Sequence, residues 1–205
     1  MSPEKAVLDI QGQFRVYTEF YHTDAAAKTI ILVNGSLATT ASFAQTVRNL
    51  YPTFNVVLYD QPYSGRSKPH NVHGAPLTRE EEGQLLLELI DHFNAEHVLS
   101  FSWGGAATLV ALAHQPRRIE SAVISSFSPV INGPMREYLD KGLDYLGAHS
   151  RYDMGHLINN TLSASTCRLC SSASTIATSA AWTVMNMTRC TITSVKYWSL
   201  TRTTT

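Results

Sequence analysis

A serine hydroxyl attacks a carbonyl only when it is exposed, faces a base and has N–H groups near enough to receive the developing negative charge. Ser102 sits where that chemistry is set up. His97-Val98-Leu99-Ser100-Phe101 runs into it and Trp103-Gly104-Gly105-Ala106-Ala107 follows. A short apolar run, a serine, two glycines and an Ala/Leu-rich segment spell a strand, a sharp turn and a helix, the arrangement that lifts a nucleophile above a sheet. The N–H of the next residue, Trp103, then points toward the oxyanion. Ser100 stands where the G-x-S-x-G pattern has its first glycine, and its small side chain still permits close strand-to-helix packing. The same residues also suit a Ser-Gly-Gly turn without chemistry.

With an elbow of this kind, the loop after a neighbouring strand supplies the second oxyanion N–H. Thr29-Ile30-Ile31-Leu32-Val33 reads as a strand buried on both faces, and Asn34-Gly35-Ser36-Leu37 follows it, so Ser36 is the expected donor. An ordinary Asn-Gly turn accounts for the same four residues. Asn34, Gly35 and Gly104, with Met135 and Leu139 further along, are the expected substrate-binding positions. A serine nucleophile also needs a histidine and an acid, in chain order Ser, Asp or Glu, then His. Downstream of Ser102 the chain offers Glu120, Glu137, Asp140, Asp144 and Asp153, and His114, His149 and His156. His149 and Asp153 lie four apart and are expected to be a solvated pair. Cys167 and Cys170 form a C-x-x-C without a second pair or a histidine, so no metal site is expected.

The elements that must position these residues alternate. Residues 6–10 and 14–20 read as strands, 29–33 and 55–59 as buried parallel strands, then the elbow strand and Ala122-Val123-Ile124. Between them lie helices over 41–50, after the capping box Thr78-Arg79-Glu80-Glu81, and from the elbow to about His114. The expectation is an α/β doubly wound fold with a mostly parallel sheet. Met135, Leu139, Leu143 and Leu146 recur at helical spacing, which suits either an acyl tunnel or simple packing. The 205 residues fit one domain, and a formal net charge of zero gives no global pull toward nucleic acid or anionic membrane. No apolar run reaches membrane-spanning length and no apolar segment follows the first five residues, so a cytoplasmic location is expected.

Three stretches carry a more specific signal: residues 33–43, opening Val33-Asn34-Gly35-Ser36-Leu37; residues 54–62, closing Tyr59-Asp60-Gln61-Pro62; and Ser100-Phe101-Ser102-Trp103-Gly104-Gly105. They resemble the (R)-3-hydroxyacyl-ACP:CoA transacylases of medium-chain polyhydroxyalkanoate synthesis. The synthases of 3-hydroxyalkanoyloxyalkanoate lipids are similar but less close. The likeness covers about residues 6–161. It implies an α/β-hydrolase fold, acyl carrier protein as the donor of a 3-hydroxyacyl chain of about ten carbons, and CoA as acceptor substrate with no resident cofactor. Two other activities stay open, a thioesterase and a lipid synthase, as does a non-catalytic fragment. Arg66, Lys68, Arg117 and Arg118 are candidate contacts for an acidic carrier.

From Ser163 on, the composition changes: nearly half the residues are Ser or Thr, and Asp, Glu and His do not occur. A shifted reading frame explains this better than a low-complexity tail. In the frame two bases on, Trp182-Thr183 (TGG followed by any Thr codon) becomes Asp and Ala177-Thr178 permits His, at the His-x4-Asp spacing that the resemblance implies. The expected organisation is an α/β core over 1–131, the start of a cap over 132–162, and a non-native tail over 163–205 that leaves the fold C-terminally incomplete.

Overall fold

The computed structural model describes residues 2–72, 76–127, 129–131, 133–150, 152–157 and 196–198. Two compact units divide the chain, residues 1–127 with 194–205, and residues 128–193.

The first unit is built on one sheet. Strands β1 (Glu4–Ile10) and β2 (Phe14–Tyr21) form an antiparallel hairpin in the register Ile10↔Phe14 to Glu4↔Phe20. Its turn has φ +57° at Gln11 and +66° at Gly12, the left-handed pair that matches the twist of the flanking strands. β3 (Thr29–Val33), β4 (Asn55–Tyr59), β5 (His97–Phe101) and β6 (Ser121–Ser125) are parallel, and the sheet runs β1-β2-β4-β3-β5-β6 with β2 antiparallel to β4. All five residues of β3 and of β4 are buried, as their continuous apolar runs predict. β1 begins two residues before the expected strand, because Glu4 and Lys5 pair along an edge where charged side chains remain in water.

One departure concerns residues 196–198, inside the segment expected to be a non-native tail. They form a seventh strand, β7 (Lys196–Trp198), antiparallel to β6 with Ala122 opposite Trp198 and Ile124 opposite Lys196. The backbone of β6 presents a free ladder edge on that side, and Tyr-Trp favours extended structure. The rest of 163–205, with its cysteines and the 177–183 segment, lies outside the described residues.

Helices cover both faces of the sheet. On one face Ile31, Val33, Val57, Tyr59 and Val98 pack against α2 (Arg79–His92) and α3 (Gly104–Ala113), chiefly through Leu85, Leu86, Leu89, Ile90 and Ala111. On the other, Ile30, Leu32, Val56 and Leu58 meet Phe43 and Val47 of a 3-10 turn (Thr40–Phe43) and α1 (Ala44–Leu50). The capping box at α2 forms as read: Glu81 N donates to Thr78 Oγ1 (3.2 Å) and Thr78 N to Glu81 Oε2 (2.7 Å). Such a cap stabilises by about 1 kcal/mol. Those bonds hold the Glu81 carboxyl below the usual carboxylate range.

The second unit contains α4 (Gly133–Gly147) and a short helix over 152–157. They meet at Gly142, where an added Cβ would stand 3.6 Å from Met154 Cε and 3.8 Å from Leu157 Cδ2. Of the apolar stripe on α4, Leu139 is half-buried, whereas Met135, Leu143 and Leu146 are exposed.

Candidate active site

The elbow folds as its residues require. Ser102 has φ +49°, a left-handed conformation that costs a non-glycine residue on the order of 1 kcal/mol and leaves the side chain exposed at the junction of β5 and α3. Three hydrogen bonds hold it: Ser102 N to Ser125 O (2.8 Å), Gly105 N to Ser102 O (2.9 Å) and Ala106 N to Trp103 O (2.9 Å). Gly104 brings the helix onto the neighbouring strand, since a Cβ there would stand 2.5 Å from Asn34 O, 2.9 Å from Val33 O and 3.0 Å from Val33 Cγ1. Ser100 is fully buried beneath, so this position has room for a hydroxymethyl group, and its Oγ has no hydrogen-bond partner among the described residues.

The loop after β3 lies against the elbow. A Cβ on Gly35 would sit 3.1 Å from Ser102 Cβ and 3.7 Å from Ser102 Oγ, so glycine is what lets the loop touch Ser102. The N–H groups of Ser36 and Trp103 make no hydrogen bond among the described residues and are free to donate. Asn34, 5 % exposed, donates Nδ2 to Tyr59 O (3.1 Å), while its Oδ1 and the nearby Gln61 Oε1 lack partners among the described residues. Thus Ser102, Trp103, Gly104, Asn34, Gly35 and Ser36 come together in the first unit. Met135 and Leu139 belong to α4 in the second unit.

The loop after β4 is braced by groups that the sequence did not single out. Asp60, 1 % exposed, accepts from Thr40 N (2.7 Å) and Arg66 N (2.8 Å), and a Cβ at Gly65 (φ +47°) would fall within 2.2 Å of its carboxylate. Arg66, one of the candidate carrier contacts, has a 60 % exposed side chain whose Nη1 donates to Glu19 Oε1 and Tyr17 Oη, both at 2.7 Å. Glu19 also accepts from the hydroxyls of Tyr17 (2.8 Å) and Tyr21 (3.0 Å). Burial and that carboxylate push the Tyr17 phenol up and the Tyr21 phenol up to about 12. Burial likewise raises the carboxyl of Glu82.

A second missed residue touches the elbow directly. The Arg79 guanidinium lies 4.0 Å from the centroid of the Trp103 ring, a cation–π contact between the first turn of α2 and the residue after Ser102. Only the packing of α2 on α3 creates it, and no sequence pattern announces it.

Among the described residues no histidine hydrogen-bonds Ser102. His97 is five residues back along β5, about 16 Å at strand spacing. His114 caps the far end of α3, about 18 Å from Ser102 along the helix, and bonds Glu80 Oε1 and Gln84 Nε2, each at 3.1 Å. In the second unit His149 Nδ1 meets Gly147 O (3.1 Å) and Asp153 pairs with Ser150, so these two do not form a pair among the described residues. Nor do the described residues contain a group of three His, Cys, Asp or Glu able to hold a metal, or a helix long and apolar enough to cross a membrane.

A sharp strand–turn–helix elbow on a mostly parallel sheet, with helices on both faces, fits the family to which the chain belongs: the model of the family described as alpha/beta hydrolase fold matches residues 28–202. The chain is 70% identical over 162 residues to the (R)-3-hydroxydecanoyl-ACP:CoA transacylase of Pseudomonas putida, covering 79% of this chain and 55% of that protein. It is 60% identical over 162 residues to the protein of the same name from Pseudomonas aeruginosa, covering 79% of this chain and 54% of the relative. The resemblance read from residues 33–43, 54–62 and 100–105 is thereby borne out. The chain spans about half the length of the curated relatives it matches. Among solved structures it is similar to an alpha/beta hydrolase enzyme from a Medee basin deep-sea metagenome library, with a TM-score of 0.65, 19% identity, and coverage of 74% of this chain and 55% of that one.

Proposed function

We propose that this chain carries the nucleophile half of an acyl-transfer site, in which Ser102 attacks the thioester of an (R)-3-hydroxyacyl group on acyl carrier protein and CoA takes the acyl group. The observation that carries the reading is the left-handed backbone of Ser102 in contact with a glycine loop whose Ser36 N–H, like that of Trp103, makes no hydrogen bond among the described residues. Strain at an exposed serine persists only where the surroundings enforce it, and two free N–H groups beside it suit the oxyanion of a tetrahedral intermediate. The printed names of the relatives supply the donor and the acceptor. CoA enters as substrate, and no resident cofactor takes part. In this reading Asn34, Gly35 and Gly104 shape the reacting end.

The base is the open part of the site. Residues 163–205 contain no His, Asp or Glu, and we propose that they are read from a shifted frame, so that the chain forms the acyl-enzyme at best slowly. Loss of a triad base costs up to about a million-fold in rate, with residual catalysis left to the oxyanion groups. Incubation with 3-hydroxydecanoyl-ACP followed by intact-mass measurement tests the nucleophile: acylation that Ser102→Ala abolishes supports it, and acylation unchanged by that substitution refutes it. The nucleotide sequence across codons 161–163 tests the frame. A second frame open for more than a few tens of codons and rich in Asp, Glu and His supports the shift, and its absence refutes it.

A further inference from the structure

Arg79 has a placement that the nucleophile chemistry does not use. It is exposed, it stands over Trp103, and among the described residues its guanidinium forms no ion pair or hydrogen bond. Three glutamates follow it in the first turn of α2. Glu80 bonds His114 and Gln84, Glu81 closes the capping box, and Glu82, whose carboxyl burial raises and the Arg79 charge lowers, makes no hydrogen bond or ion pair to the guanidinium among the described residues. The cation is therefore held at the elbow by the ring while its N–H donors remain for an acceptor. A guanidinium in that state favours oxyanions that accept two parallel hydrogen bonds, phosphate above all.

We propose that Arg79 is a specificity-determining residue that binds the phosphate of the pantetheine thiol arm delivering or removing the acyl group at Ser102. The inference rests on the acyl-transfer reading, because that reading brings a phosphate-bearing arm to this rim: acyl carrier protein holds its thioester on a 4′-phosphopantetheine, and CoA contains the same unit. Trp103 couples the two ends of the site, its N–H serving the oxyanion and its ring seating the cation.

Calorimetric titration of the 205-residue protein with 4′-phosphopantetheine and with pantetheine, which lacks the phosphate, tests this without requiring turnover. Wild type should bind the phosphorylated arm about tenfold more tightly, and the preference should shrink with added salt. Arg79→Ala should abolish the preference while leaving the Kd for pantetheine unchanged, and Arg79→Lys should retain part of it. Equal affinities in wild type, or a preference that survives Arg79→Ala, overturns the proposal, as does a variant that loses pantetheine and phosphopantetheine binding alike. Titrations with CoA and with holo- against apo-acyl carrier protein separate the sources: a loss confined to either assigns the arm that Arg79 reads. Ser102 acylation is scored separately, so that phosphate preference without acylation removes the transfer reading, and acylation without phosphate preference removes this one.

Discussion

Gly104→Ala is the sharpest test of how the elbow is assembled. The new Cβ would stand 2.5 Å from Asn34 O and 2.9 Å from Val33 O, both backbone atoms of β3 and its loop. Ordinary carbon–oxygen contacts lie beyond about 3.2 Å, so α3 must retreat from β3 by roughly half an ångström or more, and no side-chain rotation can spare it. Overpacking of this kind costs about 1–3 kcal/mol, and the better helix propensity of alanine returns less than about 1 kcal/mol at a first-turn position. A net loss of about 2 kcal/mol should lower the melting midpoint by about 4–8 °C, followed by circular dichroism. Gly147→Ala, where nothing lies within 4 Å of the added carbon, is the matched control and should leave the midpoint within about 2 °C of wild type. Because the retreat also carries Trp103 away from the loop holding Ser36, Ser102 acylation should fall with stability. A Gly104→Ala protein that melts within about 1 °C of wild type would refute the contact.

Comparing Ser102→Gly with Ser102→Ala isolates backbone strain, since both lack the hydroxyl and only glycine relaxes φ +49°; the glycine variant should be more stable by about 0.5–1 kcal/mol in urea unfolding, and equal midpoints would contradict the elbow geometry. The Glu81 carboxyl is held below its ordinary range in the folded state, so its contribution is present at neutral pH and fades as pH falls from the ordinary carboxylate range through the depressed value; Glu81→Gln should melt below wild type at pH 7, with the gap narrowing as the pH is lowered into the acid range, and a gap independent of pH would contradict the cap. Arg66→Ala leaves the 9 %-exposed Glu19 side chain with only two phenolic donors and should lower the melting midpoint, whereas a midpoint equal to that of wild type would show that the loop after β4 is braced elsewhere.

What could be read from residues alone follows range. Continuous apolar runs at 29–33 and 55–59 identified buried strands because being covered on both faces leaves its mark in every residue. The capping box and the elbow were legible because each is closed within a few residues of chain. The bond from Arg66 to Glu19 spans 47 residues, and the contact of Arg79 with Trp103 depends on how two helices pack, so neither leaves a local pattern. The pairing of Lys196–Trp198 with β6 was missed for a similar reason, since an open ladder edge accepts a segment on its backbone and demands little of its sequence.

The two helices that flank the elbow begin in opposite electrical conditions. The first turn of α2 carries Glu80, Glu81 and Glu82, whose carboxylates neutralise the partial positive charge gathered at a helix start. The first turn of α3 carries no acid at all, only glycine and alanine, and Ser102 stands immediately ahead of it. The axial field of ten aligned peptide units therefore emerges unneutralised at the serine, where, in the proposed acyl transfer, about half an elementary charge's worth of positive potential would meet the oxyanion of the tetrahedral intermediate. An acidic residue at Ala106 or Ala107 would fill part of that field permanently, so the smallness of the residues after Ser102 keeps the helix end available to a charge that exists only in passing.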